Sequence, residues 1–473
     1  MSAVDNAVST VKDALWQGVS WGRIDLDVGH DDLTRISDTL AALSPSDRNA
    51  VIERLSDDNL KNWAQELYGF AGGFDKSERD ALFGDLAQGL DADQFVRLVD
   101  AFENDGNGQG SGELRAAMAG PDVPAETKLA FIEAMTSRIS PEATSYDPAP
   151  THKNDVTDVL HADPDAQAVA EVLASLSGSS FDAAVSHLAD NQRLDEVLQA
   201  GILQSEVHSR NGAVTNFDST VAADIVRAAA TSHDPAVQAS VFQQASDVLK
   251  TIQGGGDNGA VPFELSDIGI GPGRHAGARD ELANAMTDLL KSDTNALIAQ
   301  LESQDRGGHA LVTYLTEQIA AGRENDVASL IARVQTGDDL SGDPVARFDN
   351  VDNAESLGYF MGAVEVGIRR ATEGSAAEAQ AAGNLLKGVV TYGGAFFTVG
   401  GAGSTILKSG AGGVVDAAVA DVVAGIEADG TTLSRELARV GYPAHADGTP
   451  VENNASEMQY DSARGRVLDE NGY

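Results

Sequence analysis

The feature that most constrains this chain is a helix signal that keeps restarting: apolar residues three and four apart, in runs too short for one long helix, each opened by Ser or Asp. Ser44 followed by Pro45 supplies an N-cap and a proline at the first helical position, and Asp47 falls where a carboxylate meets the positive end of the helix dipole. Ser56 opens another run, in which Leu60, Trp63, Ala64 and Leu67 follow the i, i+3, i+4, i+7 pattern of one buried stripe. Asp75 with Glu78 has capping-box spacing ahead of Ala81, Leu82 and Leu86, and Asp91 with Gln94 repeats it ahead of Phe95, Leu98, Val99 and Phe102. The starts at 56, 75 and 91 are too unevenly spaced for a named solenoid repeat, but they suit helical hairpins stacked on one another. The predicted fold class is therefore all-α: stacked short helical hairpins in two or three subdomains, with a Gly-rich hairpin near the C-terminus.

Breaks in this pattern predict the domain organisation. Residues 140–154 (SPEATSYDPAPTHKN) hold three prolines and no periodic apolar face, which marks an interdomain linker between an N-terminal helical domain, 1–140, and a central one, 155–350. Within the central block Asp163 with Pro164 and Asp234 with Pro235 are N-cap and first-position pairs, and Val169, Val172, Leu173 and Leu176 mark a buried face. A second break at 254–277 is rich in Gly, with VPFEL as its one strand-like run. A C-terminal helical region, 351–440, carries the apolar Gly-rich hairpin, and 441–473 reads as a polar, weakly ordered tail.

Charge and cysteine content narrow the function classes. Asp and Glu number 73 against 32 Lys and Arg, a formal charge of −41 that repels nucleic acid and anionic headgroups. Only nine of the basic residues are Lys, a composition shared by ordinary acidic proteins and by halophilic ones. The absence of Cys removes thiol catalysis, Cys-ligated zinc, iron–sulfur clusters and disulfides. The first 24 residues include Asp5, Lys12, Asp13 and Arg23 and no uninterrupted apolar run, so the expectation is synthesis in the bacterial cytoplasm without a cleaved signal, with any export by a specialised secretion system.

Residues able to carry chemistry are scattered. Gly269, Gly271 and Gly273 with Arg274 and His275 invite a phosphate-cradle reading, but no strand precedes them and no Lys-Ser/Thr pair follows. Asn107, Gln109, Ser111 and Glu113 resemble the first part of a calcium loop, yet Ala116 stands where the closing carboxylate belongs, so a polar turn is favoured. The pairs His30–Asp31 and His233–Asp234 lack metal-ligand spacing, and Asp234 already serves as an N-cap before Pro235. No GxSxG elbow is present. The expectation is no catalytic residue, no metal and no cofactor.

The segment with the most distinctive chemistry is residues 388–407, GVVTYGGAFFTVGGAGSTIL, twenty uncharged residues between Lys387 and Lys408. That length, as one helix, just spans a hydrocarbon core. Residues 414–426 form a second apolar arm broken by Asp416 and Asp421, and six glycines in the first arm permit close backbone approach. The candidate membrane or partner surface of this helical hairpin comprises Val389, Val390, Phe396, Phe397, Val399, Ile406, Leu407, Val414, Val415, Val419, Val422 and Val423. It reads either as buried in a bundle or as able to enter a membrane once the bundle opens.

Three stretches, LSPSDRNAVIERLSDDNLKNWAQELYG, DLLKSDTNALIAQLESQDRGGHALVTYLTEQIAAG and ESLGYFMGAVEVGIRRA, resemble helical regions of large secreted effector and toxin-like proteins of Gram-negative bacteria. They include no catalytic motif. The resemblance implies delivery by a specialised route and a helical body that carries, binds or acts on membranes. The functional expectation is a non-enzymatic effector or toxin-like protein acting on an unidentified protein partner, with conditional membrane interaction. The alternatives are a soluble helical scaffold or adaptor, and a hydrolase whose site is assembled from distant residues.

Overall fold

The computed structural model describes residues 2–15, 18–20, 23–25, 28–69, 73–104, 109–141, 144–148, 156–209, 212–257, 274–372, 375–393, 397–399, 405–407, 419–420, 423–424, 426, 433, 437 and 453–473. The fold is all-α, as the periodicity predicts, with a few short strands. Its backbone groups into two units, residues 1–210 and 211–473.

In the first unit the helices are α1 (Ala3–Ala14), α2 (His30–Ala41), α3 (Pro45–Arg54), α4 (Asp57–Leu67), α5 (Lys76–Gly89), α6 (Ala92–Glu103), α7 (Gln109–Met118), α8 (Ala125–Thr136), α9 (Pro164–Ala174), α10 (Gly178–Asp190) and α11 (Leu194–Ala200). The caps read from the sequence open them. Ser44 Oγ accepts from the Asp47 amide, Ser56 and Asn59 make a reciprocal box, Asp75 and Glu78 make another, and Asp163 accepts from the amides of Asp165 and Ala166. Leu60, Trp63, Ala64 and Leu67 are buried together, and Phe95, Leu98, Val99 and Phe102 form the facing stripe. Trp63 and Phe83 both meet Phe102 edge to face, at 6.3 Å and 5.7 Å between ring centroids. On α5 the buried face runs through Leu82, Phe83, Leu86 and Ala87, and Ala81 lies outside it.

An ion network, buried at Arg115 and open to solvent at Asp100, joins α6, α7, the end of α8 and α9. Arg115, 4 % exposed, bonds Asp165 Oδ1 at 2.7 Å and also Glu103, while Arg138 reaches Asp165 Oδ2 at 3.0 Å and also Asp100 and Glu103. Each arginine thus has its fork satisfied by more than one carboxylate, the condition under which such a pair is tolerated away from water.

The expected linker at 140–154 is not a boundary between units. Strand β3 (Thr144–Pro148) lies inside it and pairs antiparallel with β4 (Val156–Ala162), which pairs antiparallel in turn with β5 (Leu203–Ser209). The ladder supplies hydrogen-bond partners for a backbone that has no apolar face to bury as a helix. Two shorter strands, β1 (Gly18–Ser20) and β2 (Arg23–Asp25), form a ribbon after α1.

The second unit begins with strand β6 (Gly212–Phe217) and contains α12 (Thr220–Ala229), α13 (Pro235–Asp257), α14 (Arg274–Ser292), α15 (Thr294–Gln304), α16 (His309–Ala320), α17 (Glu324–Thr336), α18 (Pro344–Phe348), α19 (Val351–Ala371), α20 (Ser375–Gly393) and α21 (Asn454–Glu470). Helices α13 and α14 pack against each other on either side of the expected break at 254–277, most of which lies outside the described residues together with VPFEL and the Gly269, Gly271, Gly273 loop. The centre of the unit is α19, buried from Leu357 through Ile368 and packed by α16 on one side and α21 on the other.

That last contact corrects the expectation of a weakly ordered tail for residues 453–473, while 441–452 lie outside the described residues. Residues 454–470 form a helix whose Ser456, Tyr460, Ala463 and Val467 are buried, at i, i+4, i+7 and i+11. Only four positions carry the stripe, with charges between them, so it is faint in the sequence. The contact needs Gly358, because a Cβ there would lie 2.2 Å from the Tyr460 carbonyl oxygen.

Candidate functional site

The candidate hairpin residues fall in three places. Val389, fully buried, and Val390 are in α20, which packs on α17. Phe397 and Val399 are in strand β7 (Phe397–Val399), and Ile406 and Leu407 are in β8 (Thr405–Leu407); the two strands pair antiparallel, Phe397 opposite Leu407. The expectation of one twenty-residue helical arm is therefore corrected: helix α20 is described to Gly393, and residues 397–399 and 405–407 are strands, consistent with the low helix propensity of a Gly-rich segment. Val419 and Val423 are helical residues against α20, their methyl groups 3.4 Å and 2.7 Å from where a Cβ on Gly383 would sit. Phe396, Val414, Val415 and Val422 lie outside the described residues. Among the described residues no helix is long and apolar enough to cross a membrane.

The other sequence candidates are absorbed by structure. Gln109–Met118 is a helix rather than the expected polar turn, and Glu113 is held by Arg79 Nε at 2.8 Å and by the Tyr68 hydroxyl at 2.8 Å. The Arg79 guanidinium keeps this carboxyl below its usual range. Glu113 also lines a cavity of about 350 Å³ between α5 and α7, shared with Lys76, Asp80, Phe83 and Val123. His30 starts α2 and faces Glu78 at 3.2 Å and the Phe74 ring at 5.4 Å. Asp234 accepts from the Ala236 amide at 2.9 Å, the N-cap role expected of it. Among the described residues no group of His, Asp and Glu is placed to hold a metal ion.

The larger recess was not foreseen. It measures about 490 Å³ and draws on four helices of the second unit: Lys250 from α13, His309, Thr313 and Thr316 from α16, Arg370 from α19, and Glu470 of α21 with Asn471 just beyond. Residues 309, 313 and 316 lie at i, i+4 and i+7, a polar stripe opposite the buried Leu311, Leu315 and Tyr314. Gly308 caps α16 at φ +67, in the left-handed region where a side chain is strained.

Asn471 fixes the arrangement. Its Nδ2 donates to the carbonyls of Gly307 and Val467, both at 2.8 Å, and its Oδ1 accepts from Arg370 Nη2 at 2.9 Å. Among the described residues Arg370 is thereby held at the recess by a neutral amide and by no carboxylate. Below this level, buried Glu365 accepts from Arg369 at 2.9 Å and also from Arg464, which locks α21 to α19.

No family model, curated protein or solved structure matches the chain. The functional reading therefore comes from the site itself. A volume of about 490 Å³ lies in the range of small-molecule pockets, roughly 300–1,000 Å³. Lys250 and Arg370 share the lining with His309 and one carboxylate, Glu470, in a chain whose net charge is −41. Sequence reasoning missed these residues because they come from segments up to 220 positions apart. The signals present were the polar stripe of α16 and the Arg369–Arg370 pair, each ordinary when read alone.

Proposed function

We propose that this chain is a non-enzymatic binding protein whose recognition element is the cationic recess of α13, α16, α19 and α21. The observation that carries the reading is the gathering of Lys250, His309 and Arg370 on one open cavity of a strongly acidic chain. A surface dominated by carboxylates concentrates positive potential at such a spot only where the fold brings basic residues together, and positive potential selects anionic groups. The arginine–carboxylate clusters elsewhere, Arg115 with Asp165 and Glu365 with Arg464, sit between helices and hold them together, which supports a binding body over a hydrolase.

The setting attached to this proposal is that of an effector or toxin-like body delivered by a specialised secretion route, as the sequence resemblance implies. Secretion genes or a small immunity-like gene beside the coding sequence would support it, and isolated metabolic neighbours would count against it. The binding reading itself is tested by melting the intact chain with acetate, inorganic phosphate and the dipeptide alanylalanine. The expected result is a saturable rise in Tm with at least one of them, ligand recovered unchanged, and no rise in the Lys250→Gln/Arg370→Gln double variant. Absence of any saturable rise overturns the reading.

A further inference from the structure

The recess presents two kinds of partner. Lys250, Arg370 and the His309 ring bring N–H donors to it. The two hydroxyls do the opposite: Thr313 donates its hydrogen to the His309 carbonyl at 3.0 Å and Thr316 donates to the Val312 carbonyl at 2.7 Å. With their hydrogens committed to the helix backbone, both oxygens have only lone pairs left for a ligand. Glu470 adds a carboxylate to the same acceptor set.

Those two halves discriminate among ligands. A simple anion satisfies the donors and leaves Glu470 and both hydroxyl oxygens to water. A dianion does the same and also meets the repulsion of a chain carrying −41 charges. A molecule with an anionic end and an ammonium end satisfies both halves and enters that field with no net charge. From this complementarity we infer that the recess binds a small zwitterion, its anionic end against Lys250 and Arg370 and its ammonium against Glu470 and the threonine oxygens.

The inference rests on the binding-protein reading and narrows it to a ligand class. Free amino acids and short peptides carry this chemistry with a carboxylate, and phosphoethanolamine headgroups carry it with a phosphate. A cavity of about 490 Å³ is wide enough for a dipeptide.

Calorimetry on the intact chain at low ionic strength separates the possibilities. The probes are alanylalanine, its N-acetyl form (anion only), its C-terminal amide (cation only) and glycerophosphoethanolamine, a phosphodiester with no net charge. The expected result is saturable binding of alanylalanine or glycerophosphoethanolamine, with each one-ended dipeptide weaker than its parent by about tenfold, the scale of one lost charge-assisted hydrogen bond. Tighter binding of glycerophosphoethanolamine assigns the zwitterion to a headgroup source, and tighter binding of alanylalanine assigns it to peptides. Glu470→Gln should weaken alanylalanine and leave the N-acetyl form unchanged, whereas Arg370→Gln should weaken both. If the N-acetyl form binds as tightly as its parent, or Glu470→Gln changes nothing, the zwitterion assignment is overturned while anion binding stands. If no probe binds, both fall.

Discussion

Glu302 sits in an environment that shifts its titration in a testable way. It ends α15 with 12 % of its side chain exposed, shares Arg466 with Glu355 at 3.1 Å and 3.3 Å, and accepts from Ser356 at 3.2 Å. Burial, then the neighbouring Glu355 charge, raise its carboxyl to about 7. A carboxyl raised in the folded state binds its proton more tightly there than in the unfolded chain. Its contribution is therefore fully present below the ordinary value of about 4.5 and is lost as pH rises through about 7. Urea unfolding at pH 5 and pH 8 should show Glu302→Gln gaining about 1–3 kcal/mol on the native chain at the higher pH alone, and an unchanged difference would disprove the shift. Two glycines make a paired steric test. Gly358→Ala places a Cβ 2.2 Å from a backbone oxygen and should cost about 1–3 kcal/mol, whereas Gly465→Ala, with nothing within 4 Å, should be neutral or stabilise by up to about 1 kcal/mol. At this scale the caps were legible, because a cap is a contact within three residues. The recess was not, because Lys250 and Asn471 owe their proximity to the packing of separate helices.

Among elements, α21 is tied to α19 through a buried charge. Glu365 is fully buried between Arg369 and Arg464, so Glu365→Ala removes a carboxylate that both guanidinium groups share and should destabilise the second unit by about 3 kcal/mol or more, read by denaturant unfolding. Loss of Tyr460 burial, followed by fluorescence, should accompany it. The Gly-rich segment yields a second prediction. Because α20 is docked on α17 and residues 397–399 pair with 405–407, anionic liposomes should retain their dye at pH 7 and at pH 4.5. Release at pH 4.5 that Phe397→Asp abolishes would reinstate a membrane-active hairpin. Helix existence was readable wherever an apolar stripe was dense, as in α4 and α6. It failed for α21, whose stripe is four residues among charges, and for strand β4, whose partner β5 lies some fifty residues downstream. Ladder pairing at that separation leaves no local period to read.

For the whole molecule the governing number is the charge of −41. Arginine clusters offset part of it, but Asp and Glu outnumber basic residues by more than two to one, so most carboxylates repel one another through solvent. Raising NaCl from low concentration to molar levels should raise Tm, and a flat or falling midpoint would mean that the surface charge does not limit stability. The sequence conveyed the class of architecture, but the proline-rich run it marks as a linker, 140–154, holds strand β3. Proline and the absence of helical periodicity mark an interruption of helix, which a strand also provides. The pairing of α19 with α21 carries a further consequence, for synthesis. Arg464 follows Glu365 by 99 residues, an interval of about 5–20 s at ordinary elongation rates. Throughout that interval the nascent chain holds the Gly358 face of α19 uncovered and one of Glu365's two guanidinium partners still unmade, so its second unit is most open to chaperones and proteases just before α21 is completed.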